Sequence, residues 1–359
     1  MVNTQDFSGN TALHYAESFD IAEMLLNNGI NPNIPNSDGL CALHMAVKRR
    51  DFSSVRSLLS HGANVTAADD VCWYTPLHLV AQDTSEEEPS LSVRGPIAEL
   101  LCEAKHPSLP DLNYQDRDGN TPLHHAAALA EEDAGILISI FIEHGACPKI
   151  VNNRGQTPIH LYCHNNSVRQ YVFYHEALQL MLAKGDPNQQ SLSGCTPLHL
   201  ALYHNDIESA SILVRFGAEL NAQWKKPVRW ETFWTDMECD TVLPLDMVED
   251  LNVLHSIITN ISTEQNPAPH RSKCMHCKIK FRMFSRHHNC SHCARSICGR
   301  CSRTMNSSIV PHHSGKSDAL LKVCVLCEAM LLSNGTTTSI PSSIFHNGDE
   351  VESVGTISM

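Results

Sequence analysis

At 359 residues, with 42% hydrophobic and 18% charged positions, the chain has the composition of a soluble protein of two or three domains. Its start, MVNTQDFSGNTALH, lacks a basic-then-apolar leader, and its densest apolar run, ILISIFI at 136–142, falls far short of the roughly 20 residues that span a bilayer. The net charge is −13, yet residues 271–330 hold eleven Lys and Arg against Asp318 and Glu328, a local +9 that either faces an anionic partner or offsets the module's own thiolates.

Fifteen cysteines complete the composition. Seven are scattered singly (Cys41, Cys72, Cys102, Cys147, Cys163, Cys195, Cys239), and eight form four CxxC pairs between Cys274 and Cys327. Scattered singles point to buried thiols in a reducing, intracellular compartment, and ordered pairs point to metal ligands rather than disulfides.

From the N-terminus, a motif recurs six times: TALHYA (Thr11), CALHMA (Cys41), TPLHLV (Thr75), TPLHHA (Thr121), TPIHLY (Thr157) and TPLHLA (Thr196). Its histidines, His14, His44, His78, His124, His160 and His199, are 30, 34, 46, 36 and 39 residues apart. Thr is suited to capping a helix, Pro to its first turn and Leu or Ile to the core. The Gly that closes LLNNG, LLSHG, FIEHG, MLAKG and LVRFG is suited to the left-handed exit. This pattern, near a period of ~33 residues, resembles the ankyrin repeat. The resemblance implies a mainly α solenoid over 1–262 that binds a protein partner, with the histidines hydrogen-bonding at helix starts rather than catalysing. The first repeat is about three residues short between its helices, as expected of a worn-down cap or of a repeat with further sequence before it. A degenerate seventh copy, TVLPLDMVEDLNVLHSII, carries Asp246 in the histidine's place and is expected to cap the stack.

Two insertions break the period. DTSEEEPSLSVRG (83–95) reads as a solvated acidic loop. QWKKPVRWETFWTDMECD (223–240) holds Trp224, Trp230 and Trp234 where the sixth repeat's finger should be. Trp230 and Trp234 are candidate protein-contact anchors, and closure of the apolar stack is the competing role.

After a Pro-containing linker (263–271) the four pairs follow, separated by twelve, four and twenty-two residues. Eight thiolates imply two closed, structural zinc sites with no open position for water. The spacing and the segment Phe281–Cys290 resemble the FYVE zinc finger over about 270–330. That family's cross-brace implies Cys274, Cys277, Cys298 and Cys301 on one ion and Cys290, Cys293, Cys324 and Cys327 on the other. It also implies Met283 and Phe284 on a membrane-inserting loop. A RING ubiquitin-ligase domain is the alternative, but it wants a central histidine ligand with spacing that His292, adjacent to Cys293, does not leave. A PHD finger would need histidine at Cys298.

The lipid motif departs from the family. No WxxD segment precedes Cys274. Against R-[R/K]-H-H-C-R, Arg286 matches the first arginine and His287 takes the second basic position. His288 matches the first histidine, while Asn289 and Ser291 replace the next histidine and the last arginine. Lys322 stands for the arginine of RVC. Two guanidinium contacts at ~1.5–3 kcal/mol each are thereby lost, so the expectation is weak, poorly selective binding to anionic membranes. Histidine charge should favour it below about pH 6.5, at a cytoplasmic, peripheral and endosomal location. Motif and composition thus divide the chain into a repeat domain (1–262), a linker (263–271), a finger (272–330) and a tail expected to be disordered (331–359). The whole reads as a non-enzymatic adaptor with no nucleic-acid role.

Overall fold

The computed structural model describes residues 2–82, 94–104, 110–129, 133–165, 174–225, 241–248, 250–261, 265, 274–275, 287–306, 310 and 320–332. The chain forms two compact units, Met1–Ile212 and Leu213–Met359. The division falls fifty residues ahead of the one expected from composition. In a repeat array each unit touches only its neighbours, so compactness alone does not mark where a repeat pattern stops.

The helices run α1 (Phe19–Asn27), α2 (Ala42–Lys48), α3 (Phe52–Ser60), α4 (Pro76–Val80), α5 (Arg94–Cys102), α6 (Pro122–Ala128), α7 (Asp133–Glu143), α8 (Pro158–His164), α9 (Tyr174–Lys184), α10 (Pro197–Tyr203) and α11 (Ile207–Arg215). In the first unit α2, α4, α6, α8 and α10 pack in succession, as do α1, α3, α5, α7 and α9, which makes two layers. The even-numbered helices, of five to seven residues, are too short to persist alone. What holds them is the seam between layers, where the motif's Leu43, Leu77, Leu123, Ile159 and Leu198 are fully buried, each contributing about 1.5–3 kcal/mol.

The first motif departs from the helix expected there. Residues 12–15 form successive turns, with His14, Tyr15 and Ala16 N–H donating three residues back to Thr11, Ala12 and Leu13. α1 begins eight residues after Thr11, whereas α3 begins eleven after Cys41. The missing three residues leave no length for a full α-helical turn.

At the first motif as at the others, the residue that opens the motif (Thr, or Cys41 in the second) and the His three residues on act as a pair. The Thr121 N–H donates to His124 Nδ1 at 3.0 Å, and its hydroxyl stands 2.9 Å from the same atom. Because a backbone N–H can only donate, Nδ1 is the acceptor and the ring proton sits on Nε2. That Nε2–H reaches 3.0 Å to the Gln156 carbonyl of the following repeat. The same forward reach joins His14 to Leu40, His44 to Ala67, His78 to Asn120 and His160 to Cys195. Burial pushes the His78, His124 and His160 imidazoles down to about 4, and that of His44 downward too. All four are thereby held neutral.

Between helix pairs run polar fingers. Asp116 Oδ1 accepts the N–H groups of Asp118 and Asn120, and Asn152 does likewise for Arg154 and Gln156. Neighbouring fingers are bonded through the backbone, with Asp70, Arg117, Asn153 and Leu192 N–H donating to Asp38, Cys72, Asp118 and Arg154. Gly119 turns its finger at φ +76, and a Cβ there would lie 2.8 Å from the Asn153 nitrogen. In the third finger Trp73 occupies the equivalent place at φ +64. That finger is one residue longer, closing from Asp69 N–H to Tyr74 O instead of four residues on.

In the second unit β1 (Trp224–Lys225) pairs antiparallel with β2 (Thr241–Val242), Trp224 opposite Val242. A 3-10 turn at Pro244–Met247 and α12 (Leu251–Ile258) form the degenerate copy. Asp246 Oδ2 accepts the Leu243 N–H at 3.0 Å, doing for this turn what histidine does elsewhere. Two further hairpins follow, β3 (His287–Asn289) with β4 (Ser296–Cys298) and β5 (Ser302–Asn306) with β6 (Leu320–Cys324), then α13 (Val325–Leu332).

Candidate metal centre

Four cysteines meet between these hairpins. Cys290 and Cys293 flank the turn after β3, Cys324 ends β6 and Cys327 lies in the first turn of α13. All four are buried, and their Sγ atoms lie within 4.8 Å of one another. Ala294 shapes the first pair's turn at φ +56, its N–H donating to the Cys290 carbonyl at 2.8 Å. The Ser291 N–H donates to Lys322 O at 2.7 Å and so fixes this turn against β6.

The geometry suits a tetrahedral thiophilic cation. Cys293 and Cys324 Sγ stand 3.9 Å apart, while four sulfurs at ~2.3 Å around zinc would be about 3.8 Å apart. A disulfide would need ~2.05 Å. The Cys324 N–H points at Cys290 Sγ (3.2 Å) and the Cys327 N–H at Cys324 Sγ (3.4 Å), donors suited to thiolates. Neighbouring thiols of Cys293, Cys324 and Cys327 hold Cys290 well below the usual thiol range, while burial pushes Cys293 and Cys327 well above it. So small a buried space does not hold four thiolate charges without a cation. The donor set is all sulfur, which selects zinc over harder cations.

Of the other expected set, Cys274 and Cys301 are buried. Cys298 ends β4, where its backbone pairs with that of His287, and Cys277 lies outside the described residues. Met275, next to Cys274, is tied once to β4 and once to the residue before that strand. Met275 N–H donates to Ser296 O (2.9 Å), and Met275 O accepts from Arg295 Nη2 (2.6 Å).

Of the expected lipid contacts, Met283, Phe284 and Arg286 lie outside the described residues, as do Trp230 and Trp234 among the protein contacts. His287 and His288 form β3, with His288 opposite Ile297. Lys322 lies on β6 and donates to Thr304 Oγ1 at 3.0 Å. Trp224, from the same insertion, is 5% exposed on β1 and packs inward.

Two residues escaped sequence reasoning. Trp73 is 47% exposed, with the Arg117 guanidinium 5.5 Å from its ring centroid. The one available signal was a finger, VCWYT, without its glycine. Arg295 is buried inside the finger although its type predicts surface. Its place in the four-residue spacer between two ligand pairs was the signal.

A model of ankyrin repeats, three copies long, matches residues 1–69, 43–140, 91–190 and 128–224, and a FYVE zinc finger model matches 264–333. Human neurogenic locus notch homolog protein 1 is 32% identical over 162 residues, 44% of this chain and 6% of that protein. Human Rabankyrin-5 is 34% identical over 128 residues, 34% of this chain and 11% of that protein. The chain therefore matches only a small part of the length of either relative. Among solved structures, the crystal structure of the ankyrin repeat domain of Bcl-3, a unique member of the IkappaB protein family, superposes with a TM-score of 0.53. Its identity is 25%, with 70% of this chain and 99% of that chain covered.

Proposed function

Because the chain belongs to the ankyrin-repeat family and carries a C-terminal FYVE zinc finger, we propose that it is a non-enzymatic adaptor. One end holds a protein partner on the repeats and the other meets an anionic membrane surface. The observation that carries this reading is the buried all-sulfur cluster Cys290–Cys293–Cys324–Cys327, which closes a metal site with no position left for substrate. When bound, zinc supplies cross-linking of strands too short to fold alone. A second ion on Cys274, Cys277, Cys298 and Cys301 completes the proposed arrangement.

The chain's own residues set the rest. The motif histidines from His14 to His160 are committed to bonds between repeats, so partner contact falls to the fingers and the exposed helix faces, with Trp230 and Trp234 as proposed anchors. The membrane side would be formed by Met283, Phe284, Arg286, His287, His288 and Lys322. Only one arginine stands in that set, which favours attraction to negative surface charge over selection of one phosphoinositide. The working location is the cytoplasmic face of endosomal membranes.

Sedimentation of the full chain with vesicles tests this. We expect weak, salt-screened pelleting with phosphatidylserine vesicles and little gain when phosphatidylinositol 3-phosphate is added. Tight selection of the 3-phosphate would replace the surface-charge reading with a specific headgroup pocket. Failure to pellet with any anionic vesicle would remove the membrane arm of the proposal.

A further inference from the structure

Arg295 is the feature of the finger that its spacing does not explain. Arg295 is 5% exposed; Nη2 donates to the Met275 carbonyl at 2.6 Å, and Nε and Nη1 find no acceptor among the described residues. A guanidinium does not shed its proton, so burying one demands a negative charge nearby. The Arg295 residue lies two positions beyond Cys293 on the turn into β4, and β4 carries no carboxylate. Glu328 pairs instead with Arg303 at 3.4 Å.

The negative charge is the cluster itself. One divalent cation on four thiolates leaves a net charge of about −2, and this excess lies in the buried interior at the turn that carries Arg295, whose carbonyl accepts the Cys290 N–H at 3.0 Å. We infer that Arg295 is the internal counter-charge of the Cys290–Cys293–Cys324–Cys327 site, held in position by its bond to the Met275 carbonyl and setting how tightly that site keeps its metal. The Met275 bond adds a mechanical consequence, because the residue that neutralises one cluster also secures the loop presenting Cys274. Part of the finger's local positive charge is therefore spent inward, on its own metal, and is not offered to a membrane.

The inference rests on the zinc reading above, and its test separates the two. Full-length wild type, Arg295→Met, Arg295→Lys and Arg303→Met are titrated with a chromophoric zinc chelator. Thiolate-to-cobalt charge-transfer absorption of the cobalt-substituted proteins reports total occupancy, and amide NMR signals of Ser291 and Cys324 report the Cys290–Cys293–Cys324–Cys327 site. Arg295→Met, which keeps much of the volume but no charge, is expected to weaken zinc at the four-cysteine site by about 10- to 100-fold, the range for outer-sphere partners of a metal site. Arg295→Lys should restore most of that loss, and Arg303→Met should match wild type. A side chain that merely fills space would make Met at least as good as Lys, and that result, or unchanged affinity in Arg295→Met, overturns the inference. Should Arg295→Met fail to fold, Arg295→Lys decides: near-native affinity supports the counter-charge, and total loss refutes it. A wild type that binds no zinc would instead refute the metal reading itself.

Discussion

His160 Nε2 lies 3.1 Å from the carbonyl of Cys195, thirty-five residues on and one repeat away, while its Nδ1 accepts the Thr157 N–H at 3.1 Å. One fully buried ring thus closes its own helix start and the junction to the next repeat. Replacing His160 by Phe keeps the ring but orphans both the Thr157 donor and the Cys195 acceptor. The expected loss is about 2–4 kcal/mol, from two buried groups left without partners. Chemical denaturation followed by helical circular dichroism would measure it, and a loss under 1 kcal/mol would show that water serves the junction equally well.

The burial of these rings makes the repeats acid-sensitive. His78, His124 and His160 ionise near 4 in the folded chain but near ~6.5 when unfolded. The unfolded state therefore takes up protons first. Stability is complete above about pH 6.5, falls as pH drops toward about 4 and loses nothing further from this source below that. The effect is on the order of 1–2 kcal/mol per histidine by pH 5. A denaturation midpoint that stays constant between pH 7.5 and pH 5 would contradict neutral, buried imidazoles.

Metal removal should act on one end of the chain alone. A strong chelator is expected to erase amide protection at Ser291 and Cys324, whose N–H groups bond Lys322 O and Cys290 Sγ. Helical ellipticity from α1 to α11 should barely change, because binding energy at a structural metal site is local folding energy. Two-dimensional NMR with and without chelator reads both. Loss of the helical signal along with the finger would show that the repeats depend on the metal.

Trp73 and Gly119 hold equivalent finger positions, yet opposite substitutions should have unequal effects. Gly119→Ala places a Cβ 2.8 Å from the Asn153 nitrogen at φ +76, and is expected to cost about 1–3 kcal/mol. Trp73→Gly relieves a left-handed non-glycine conformation and gives up the Arg117 contact, two effects of about 1 kcal/mol that oppose each other. Thermal melts should show a clear drop for the first and almost none for the second. A large drop for Trp73→Gly would mean that the exposed ring is structurally required.

The repeats were legible because their signals are local. Thr121, Pro122 and His124 lie within four residues, and their bonds close within one turn. The four cysteine pairs were legible because sulfur at fixed spacing has few other uses. Arg295 was not, since an arginine is buried only when distant parts of the chain bring a carbonyl and an anion to it, here Met275 and the thiolates of β6 and α13. Trp73 shows another limit, for its backbone angle could be inferred only from a missing glycine. The loss of helix at Thr11 was within reach, because three absent residues had already been counted. The membrane loop around Phe284 and the anchors Trp230 and Trp234 stay expectations of the sequence.

The junction bonds also have a direction. From His14 to His160 the imidazole always reaches forward, donating to the repeat that follows and never to the one before. The two cut faces of any deletion are therefore unlike. Trimming from the front exposes a carbonyl, which water can serve. Trimming from the back strands a ring N–H that was placed for a neighbour. Because these five junctions use the same donor and the same type of acceptor, a repeat excised whole between two of them leaves ends that can rejoin, as one link taken from a chain of identical links.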